Sequence, residues 1–192
     1  MSYQFIFTLG LCACLISCTS QKMEFHKNKV IAHRGAWKAN PYPQNSLASL
    51  QAAIELGCEG SEFDVWMTAD GVLVANHDAD HEEMVIEEVT YAQLLEKPLA
   101  NGEKVPTVEE YLKHGMKQSK TKLIFEIKPS GVSKAKGIEL AEKSVAIVKE
   151  LGAEQWVDYI TFDYDIALKV IELDPNANVA YLRGDKTPQE LK

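Results

Sequence analysis

Short apolar runs alternate with helix-type patterns along most of this chain, and this alternation limits the possible folds more than any other feature. Residues 29–32 form a short, largely apolar run that ends directly before His33. Helical spacing of apolar residues follows, with Asn45 or Ser46 as its cap and Gly57 as its stop signal. Similar pairs of a strand-type run and a helix-type pattern continue to residue 182, and one of these helices is predicted to begin at a Ser133 cap and to end at Gly152. Because parallel strands need a helical crossover between them, the pattern predicts a parallel α/β fold.

Polar residues follow the predicted strands, which favours a barrel over an open sheet, since barrel sites lie at the carboxyl ends of the strands. We predict six strands, at residues 29–32, 61–65, 72–76, 123–127, 156–162 and 179–182. A complete barrel needs eight strands and typically about 250 residues. The sequence therefore predicts a TIM (β/α)8-type barrel that is truncated after about six strands, with an irregular, weakly helical insertion at residues 78–123.

Composition indicates one globular domain and argues against nucleic acid as a partner. The chain has 192 residues, of which 46% are hydrophobic, and this balance indicates neither disorder nor a coiled coil. The 20 basic and 28 acidic residues give a net charge of −8, and the basic residues form no stripe. Such a chain would repel a polyanionic backbone, so we expect no nucleic-acid partner.

The N-terminal residues resemble a lipoprotein signal. Residues 5–16 form an apolar run that is short for a membrane span and typical of a signal-peptide core. The sequence Leu15-Ile16-Ser17-Cys18 resembles the bacterial lipobox, in which the cysteine becomes the lipidated first residue of the mature protein. We therefore predict a signal peptide at residues 1–17, a tether at 18–28 and the folded domain at 29–192.

Lipid on Cys18 would anchor the protein to a membrane of the bacterial cell envelope, on its periplasmic or surface face. Cys12 and Cys14 would leave with the signal, so only Cys58 would remain in the domain, which excludes a disulfide framework. Residues 1–4 lack the Lys or Arg that usually begins such a signal. A poorly packed N-terminal tail is the alternative interpretation.

Three carboxylates on predicted strands indicate a divalent cation. Glu62 and Asp64 are two residues apart on one strand, so their side chains project from the same face. Glu126 and Lys128 repeat this spacing on another strand. Buried carboxylates on one face repel each other unless a metal ion or a proton neutralises them, and hard oxygen ligands favour Ca²⁺ or Mg²⁺. The same alternation is also typical of a half-exposed strand without a metal site.

Two histidines and two cationic residues add the groups that phosphate chemistry needs. His33 and His77 each end an apolar run, and imidazoles can donate and accept protons near neutral pH. Arg34 offers a planar fork for phosphate oxygens, and Lys128 offers a second positive charge. Together with a divalent cation, these residues could hold a phosphate and transfer protons on both sides of a phosphoester bond. The set predicts a phosphodiesterase.

Taken in order, the motifs resemble the glycerophosphodiester phosphodiesterase family. The resemblance extends from about residue 30 to residue 192. It rests on the order and spacing of His33-Arg34-Gly35, Gln44-Asn45-Ser46, Glu62-Phe63-Asp64-Val65, Thr68-Ala69-Asp70-Gly71, His77-Asp78 and Phe125-Glu126-Ile127-Lys128.

The resemblance implies a (β/α)8 barrel that hydrolyses glycerophosphodiesters to glycerol 3-phosphate and an alcohol, in the metabolism of phospholipid headgroups. It also implies one divalent cation and specific residue roles. The implied roles are cation binding by Glu62, Asp64 and Glu126, acid–base catalysis by His33 and His77, and phosphate binding by Arg34 and Lys128.

Two features depart from the family pattern. Gln44 stands where the family usually has a glutamate, which keeps hydrogen bonding but removes a charge, so we leave Gln44 out of the metal set. We also find no counterpart of the last two barrel strands. These departures leave two alternatives open: a non-catalytic lipoprotein that binds a phosphate or a lipid headgroup, and an inactive fragment of the enzyme.

The link between the second and third predicted strands is too short for a helical crossover. Asp70-Gly71 by itself predicts a hairpin, whereas the family resemblance implies an extended link that returns to the floor of the barrel. Both geometries would bring His77 near Glu62.

Overall fold

Strands and helices alternate along the chain, as the sequence predicts. A computed structural model describes residues 23–38, 41–187 and 189–190. The strands are β1 (Ile31–Ala32), β2 (Gly60–Met67), β3 (Leu73–Ala75), β4 (Asp80–His81), β5 (Met84–Val85), β6 (Lys122–Ile127), β7 (Val157–Thr161) and β8 (Val179–Tyr181). The helices are α1 (Leu47–Glu55), α2 (Tyr91–Leu94), α3 (Val108–Gly115), α4 (Lys134–Leu151) and α5 (Tyr164–Leu173).

The main sheet has the order β1-β2-β6-β7-β8, and each neighbouring pair in this order is parallel. Helices connect successive parallel strands, because a parallel pair cannot be joined by a tight turn. This arrangement is part of a (β/α)8-type barrel, and the predicted fold class is confirmed. In the described ranges the parallel strands number five rather than six, since β3 does not run parallel to the others.

Strand β3 is antiparallel to β2, with Val65 opposite Ala75 and Met67 opposite Leu73. The extended link implied by the family resemblance is therefore wrong, and the hairpin predicted from Asp70-Gly71 is confirmed. Gly71 has a φ of +81°, a conformation that residues with a Cβ rarely adopt. The local turn chemistry thus determines the direction of this strand.

Residues 78–123 are more ordered than the irregular insertion that the sequence predicts. They contain the β4–β5 hairpin, a 3₁₀ turn at Ile86–Glu88, and helices α2 and α3. Both helices begin with a capping box, at Thr90 for α2 and at Thr107 for α3. A small apolar cluster supports the segment, and its buried members are Trp66, Val74, Ile86, Leu94 and Val105.

Capping residues begin the other helices, and two of these caps, Ser46 and Ser133, are predicted by the sequence. Ser46 caps α1 and Ser133 caps α4, each by accepting a hydrogen bond from a backbone N–H in the first turn. Asp163 caps α5 in the same way. Gly152 closes α4 with a φ of +65°.

Side chains alternate between the two faces of β2 and β6, as strand geometry requires. Phe63 and Phe125 point toward the helices and are fully buried. Phe63 stacks on Tyr111 of α3, with ring centroids 4.2 Å apart. The opposite face of the same two strands carries Glu62, Asp64 and Glu126. Packing of the apolar face therefore fixes where these carboxylates lie.

The described part of the predicted tether contacts the end of the sheet where β2 and β6 begin. The backbone N–H of His26 donates to the carbonyl of Lys120 at 2.8 Å, and the Asn28 side chain donates to the carbonyl of Gly57 at 2.8 Å. The predicted signal peptide and Cys18 lie outside the described residues. None of the helices in the described ranges is long and apolar enough to span a bilayer.

Candidate active site

Glu62, Asp64 and Glu126 converge on one face of the sheet. Asp64 on β2 is the direct register partner of Glu126 on β6. One carboxylate oxygen from each of the three residues lies within 4.8 Å of the others. Their exposed fractions are only 4%, 0% and 5%, in chain order. The structure thus brings together the three residues that the sequence predicts as a metal set.

Lys128 lies just beyond β6 and forms ion pairs with two members of this triad. Its Nζ is 2.6 Å from Asp64 Oδ1 and 2.7 Å from Glu126 Oε1. The Lys128 side chain is only 11% exposed, so little water screens these contacts. Lys128 therefore supplies part of the positive charge that the carboxylates require.

The positive charge of Lys128 is not sufficient to keep the pKa of Glu62 in the ordinary carboxyl range. Burial, followed by the neighbouring Asp64 carboxylate, raises the pKa of Glu62 to about 8. Burial also raises the pKa of Glu126, although Lys128 opposes this effect. Burial alone would lower the pKa of Lys128, but its contacts with Asp64 and Glu126 outweigh burial and raise it.

The triad fits a divalent cation on the chemistry of its donors. Glu62 Oε1 is buried and accepts no hydrogen bond in the described structure. When ionised, three carboxylates face one ammonium and one guanidinium, which leaves one negative charge uncompensated. Carboxylate oxygens are the ligands that Ca²⁺ and Mg²⁺ prefer. A bound cation would satisfy both the free oxygen and the charge.

Arg34 approaches the triad through its backbone and its side chain. Its backbone N–H donates to Glu62 Oε2 at 2.7 Å, and its Nε lies 3.9 Å from Asp64 Oδ2. Its Nη1 donates to Gln44 Oε1 at 2.7 Å. Arg34 has a φ of +61°, which is uncommon for a residue with a Cβ. The hydrogen bond to Glu62 helps to hold this conformation beside the carboxylates.

Asn45 is a site residue that the sequence reasoning missed, because its position before α1 indicated only a possible helix cap. Ser46 is the actual cap, and the Asn45 side chain instead holds Asp64. Asn45 Nδ2 donates to Asp64 Oδ2 at 2.9 Å, and Asn45 Oδ1 accepts from the Asp64 backbone N–H at 3.2 Å. Asn45 has a φ of +59°, a conformation in which asparagine is enriched.

His33 lies at the open side of the site. Its Nε2 is 3.9 Å from Glu62 Oε2, and 66% of its side chain is exposed. Partial burial, followed by the Arg34 cation, lowers the pKa of His33. The imidazole is therefore mostly neutral at pH 7 and can accept a proton there.

His77 reaches the same side of the molecule from the end of β3. Its Nδ1 lies 2.8 Å from Asp78 Oδ1. A carboxylate can only accept, so the Nδ1–H of His77 donates to Asp78, and Nε2 makes no hydrogen bond with the described residues. Trp66 Nε1 donates to the His77 carbonyl at 3.2 Å, and the Asn76 N–H donates to the Asp64 carbonyl at 3.0 Å. These bonds tie the His77 segment to β2.

Buried carboxylates, two cationic side chains and two imidazoles beside the strands of a (β/α) barrel are the groups of a phosphoester hydrolase. Residues 33–192 match the model of the glycerophosphoryl diester phosphodiesterase family. The chain therefore belongs to this family of hydrolases, and the family resemblance noted in the sequence is confirmed.

Individual relatives agree with this assignment. The chain is 32% identical over 169 residues to a glycerophosphodiester phosphodiesterase of Caldanaerobacter subterraneus, an alignment that covers 81% of this chain and 67% of the relative. A crystal structure of a glycerophosphodiester phosphodiesterase from Parabacteroides distasonis is similar with 45% identity and a TM-score of 0.80, and the alignment covers 84% of this chain and 68% of that one.

A second similar structure contains a ligand. It is an Oleispira antarctica phosphodiesterase in complex with the product sn-glycerol-3-phosphate. This chain is 25% identical to it with a TM-score of 0.69, and the alignment covers 79% of this chain and 64% of that one.

Proposed function

We propose that this protein hydrolyses glycerophosphodiesters to glycerol 3-phosphate and an alcohol, and that the reaction depends on one divalent cation, Ca²⁺ or Mg²⁺. The observation that carries the proposal is the buried triad of Glu62, Asp64 and Glu126, in which Glu62 Oε1 accepts no hydrogen bond from the described residues and one negative charge remains after Lys128 and Arg34 are counted. The glycerol 3-phosphate bound to the Oleispira antarctica relative supports the substrate class.

The cationic side chains bind and orient the phosphate in this proposal. A cation held by the triad would polarise a phosphoryl oxygen. Arg34 donates N–H groups to the phosphate oxygens in a fixed plane, and Lys128 adds a point charge beside the triad. The structure favours these two residues because their charged groups lie next to the carboxylates, with Lys128 Nζ at 2.6 Å from Asp64 and Arg34 Nε at 3.9 Å.

The two histidines move the protons. A hydroxyl oxygen attacks phosphorus, and the bond from phosphorus to the headgroup oxygen breaks. Attack by water gives glycerol 3-phosphate directly, whereas attack by a glycerol hydroxyl gives a cyclic phosphate, which water then opens to glycerol 3-phosphate. One imidazole accepts the proton of the attacking hydroxyl, and the other donates a proton to the departing alkoxide. The lowered pKa of His33 supports a neutral imidazole there, and the contact with Asp78 orients the ring of His77.

The test is release of glycerol 3-phosphate from glycerophosphocholine by the purified protein. His33→Ala and His77→Ala should each lower kcat by about 10²–10⁴-fold, the usual contribution of a general acid or base. Chelation by EDTA should abolish turnover, and added Ca²⁺ or Mg²⁺ should restore it. Undiminished hydrolysis in all three cases would refute the proposal. Binding of the diester by a folded protein without turnover would instead favour the headgroup-binding module.

We further propose that the protein is a lipoprotein of the bacterial cell envelope, anchored by lipid on Cys18, and that it acts in phospholipid headgroup metabolism. The lipobox-like Leu15-Ile16-Ser17-Cys18 supports the anchor. Labelled palmitate should be incorporated into the protein in bacteria and should be lost in Cys18→Ala, which should move from the membrane fraction to the soluble fraction. Equal labelling of both proteins would refute the anchor.

A further inference from the structure

Gln44 forms the side-chain hydrogen bond that fixes the Arg34 guanidinium. Arg34 Nη1 donates to Gln44 Oε1 at 2.7 Å, and no other side-chain hydrogen bond of Arg34 is present in the described residues. Arg34 Nε is buried and has no hydrogen-bond partner within the described ranges, and Asp64 Oδ2 lies 3.9 Å from it. The direction of the guanidinium fork therefore depends on Gln44.

The backbone on both sides of this contact is already fixed. The Arg34 N–H donates to Glu62, and the Arg34 carbonyl accepts from the Asn45 N–H at 3.0 Å and from Ser49 Oγ at 3.2 Å. Asn45, the residue after Gln44, is anchored to Asp64 by two hydrogen bonds. Gln44 thus extends from a rigid segment that also holds the carboxylate triad.

The partner that fixes Arg34 is a neutral amide rather than a carboxylate, so it leaves the charge of Arg34 intact. With all groups ionised, three carboxylates, Lys128 and Arg34 give the site a charge of −1, and a divalent cation would change it to +1. A phosphodiester with one negative charge would then make the site neutral. A carboxylate at position 44 would lower each of these totals by one unit, which favours the cation and disfavours the phosphate.

We propose that Gln44 is a positioning residue that directs the Arg34 guanidinium toward the substrate phosphate without neutralising it, and thereby favours phosphate affinity over cation affinity. This inference rests on the proposed function, because it takes the phosphate of a glycerophosphodiester as the ligand of Arg34. It predicts opposite effects on two ligands, which a purely structural role of Gln44 would not produce.

Gln44→Glu is the main test, because it preserves the shape of the side chain and adds one charge. Isothermal titration calorimetry should give a weaker Kd for glycerol 3-phosphate in the presence of Mg²⁺, by at least about fivefold, as expected for two unit charges about 4 Å apart even when water screens them fully. The Kd for Mg²⁺ alone should become tighter. With glycerophosphocholine, KM should rise while kcat changes little, since the lost interaction acts on bound substrate and transition state alike.

Two further variants separate charge from geometry. Gln44→Leu removes the acceptor without adding a charge, so it should weaken binding of glycerol 3-phosphate and leave the Kd for Mg²⁺ unchanged. Gln93→Glu is the matched control for charge. Gln93 is exposed and completes the capping box of α2, where glutamate serves equally well, so both affinities should stay at wild-type values.

The outcomes distinguish this inference from the proposed function. If wild-type protein binds glycerol 3-phosphate and Gln44→Glu binds it as tightly as Gln93→Glu does, the inference is overturned. Wild-type phosphate affinity in Gln44→Leu would overturn the positioning role as well. If the wild-type protein neither binds glycerol 3-phosphate nor hydrolyses the diester, the proposed function itself fails. Circular dichroism and Tm confirm that each variant is folded.

Discussion

Replacement of Lys128 by methionine tests how much the Lys128 ammonium group stabilises the buried carboxylate triad. Methionine keeps the length and flexibility of the side chain but removes the ammonium group. In the wild-type protein that group lies 2.6 Å from Asp64 and 2.7 Å from Glu126, in a site where the carboxylates are almost completely buried. The variant would leave these buried charges without their nearest cation.

The expected cost follows from the burial. Removing one partner of a buried ion pair typically costs about 3–5 kcal/mol. For a protein of this size, 1 kcal/mol changes Tm by about 2–4 °C, so Tm of metal-free Lys128→Met should fall by about 6–20 °C at pH 8. The decrease should be smaller at pH 5, because Glu62, with its pKa raised to about 8, is protonated there and fewer buried negative charges are left without a cation. Added Mg²⁺ should recover part of the loss at pH 8.

Differential scanning calorimetry in EDTA measures the effect, and Lys122→Met is the matched control. Lys122 is on the same strand and forms an ion pair of 2.6 Å with Asp158, but both of these side chains are 25% exposed. A pair of this kind contributes about 1 kcal/mol or less. Equal losses of Tm in the two variants, or a loss for Lys128→Met that does not depend on pH, would refute the argument from burial.

Three further predictions concern the electrostatics and the packing of the site. In EDTA, Tm should fall as the pH rises from the ordinary carboxyl range through 8, because the pKa of Glu62 is raised to about 8 in the folded protein and its ionisation lowers the free energy of unfolding. Thermal denaturation of Glu62→Gln should show a weaker dependence on pH. Asn45→Ala should lower the free energy of unfolding by about 1–3 kcal/mol, measured by urea unfolding, because it removes two hydrogen bonds from buried Asp64. It should also weaken cation affinity about 10–100-fold, measured by calorimetry, and an unchanged affinity would count against the positioning role of Asn45. Gly102→Ala should lower the free energy of unfolding by about 1–2 kcal/mol, because Gly102 has a φ of +82°. Gly35→Ala should lower it by about 1–3 kcal/mol more, because Gly35 has a φ of +75° and an added Cβ would lie 2.6 Å from the backbone of α1. Equal values from urea unfolding would refute the clash.

Features with a local cause could be predicted from the sequence. The cap at Ser133 and the stop at Gly152 act within one turn of α4, and both were predicted at the observed residues. The β2–β3 hairpin likewise follows from the turn at Asp70-Gly71. The family resemblance led to the opposite direction for β3, so in this case local turn chemistry was the better guide.

Features with a distant cause could not be predicted. The segment after β3 is ordered because Ile86 and Leu94 pack against Trp66 and Val74, which lie on a different part of the chain. Asn45 holds Asp64 across 19 positions of sequence, and nothing near Asn45 indicates that partner. Pairings of this kind depend on tertiary contacts, which neither propensity nor periodicity contains.

The site and the core depend on each other through strands β2 and β6. Phe63 and Phe125 bury one face of these strands, and the register that pairs them also pairs Asp64 with Glu126 on the other face. A slip of one residue would exchange the two faces, placing carboxylates in the core and phenyl rings at the site. Apolar packing therefore holds the carboxylates together against their mutual repulsion, and Lys128 removes only part of that repulsion. A cation that binds the triad should stabilise the whole sheet, because it relieves the remaining repulsion between the carboxylates and leaves the apolar packing of the opposite face unchanged.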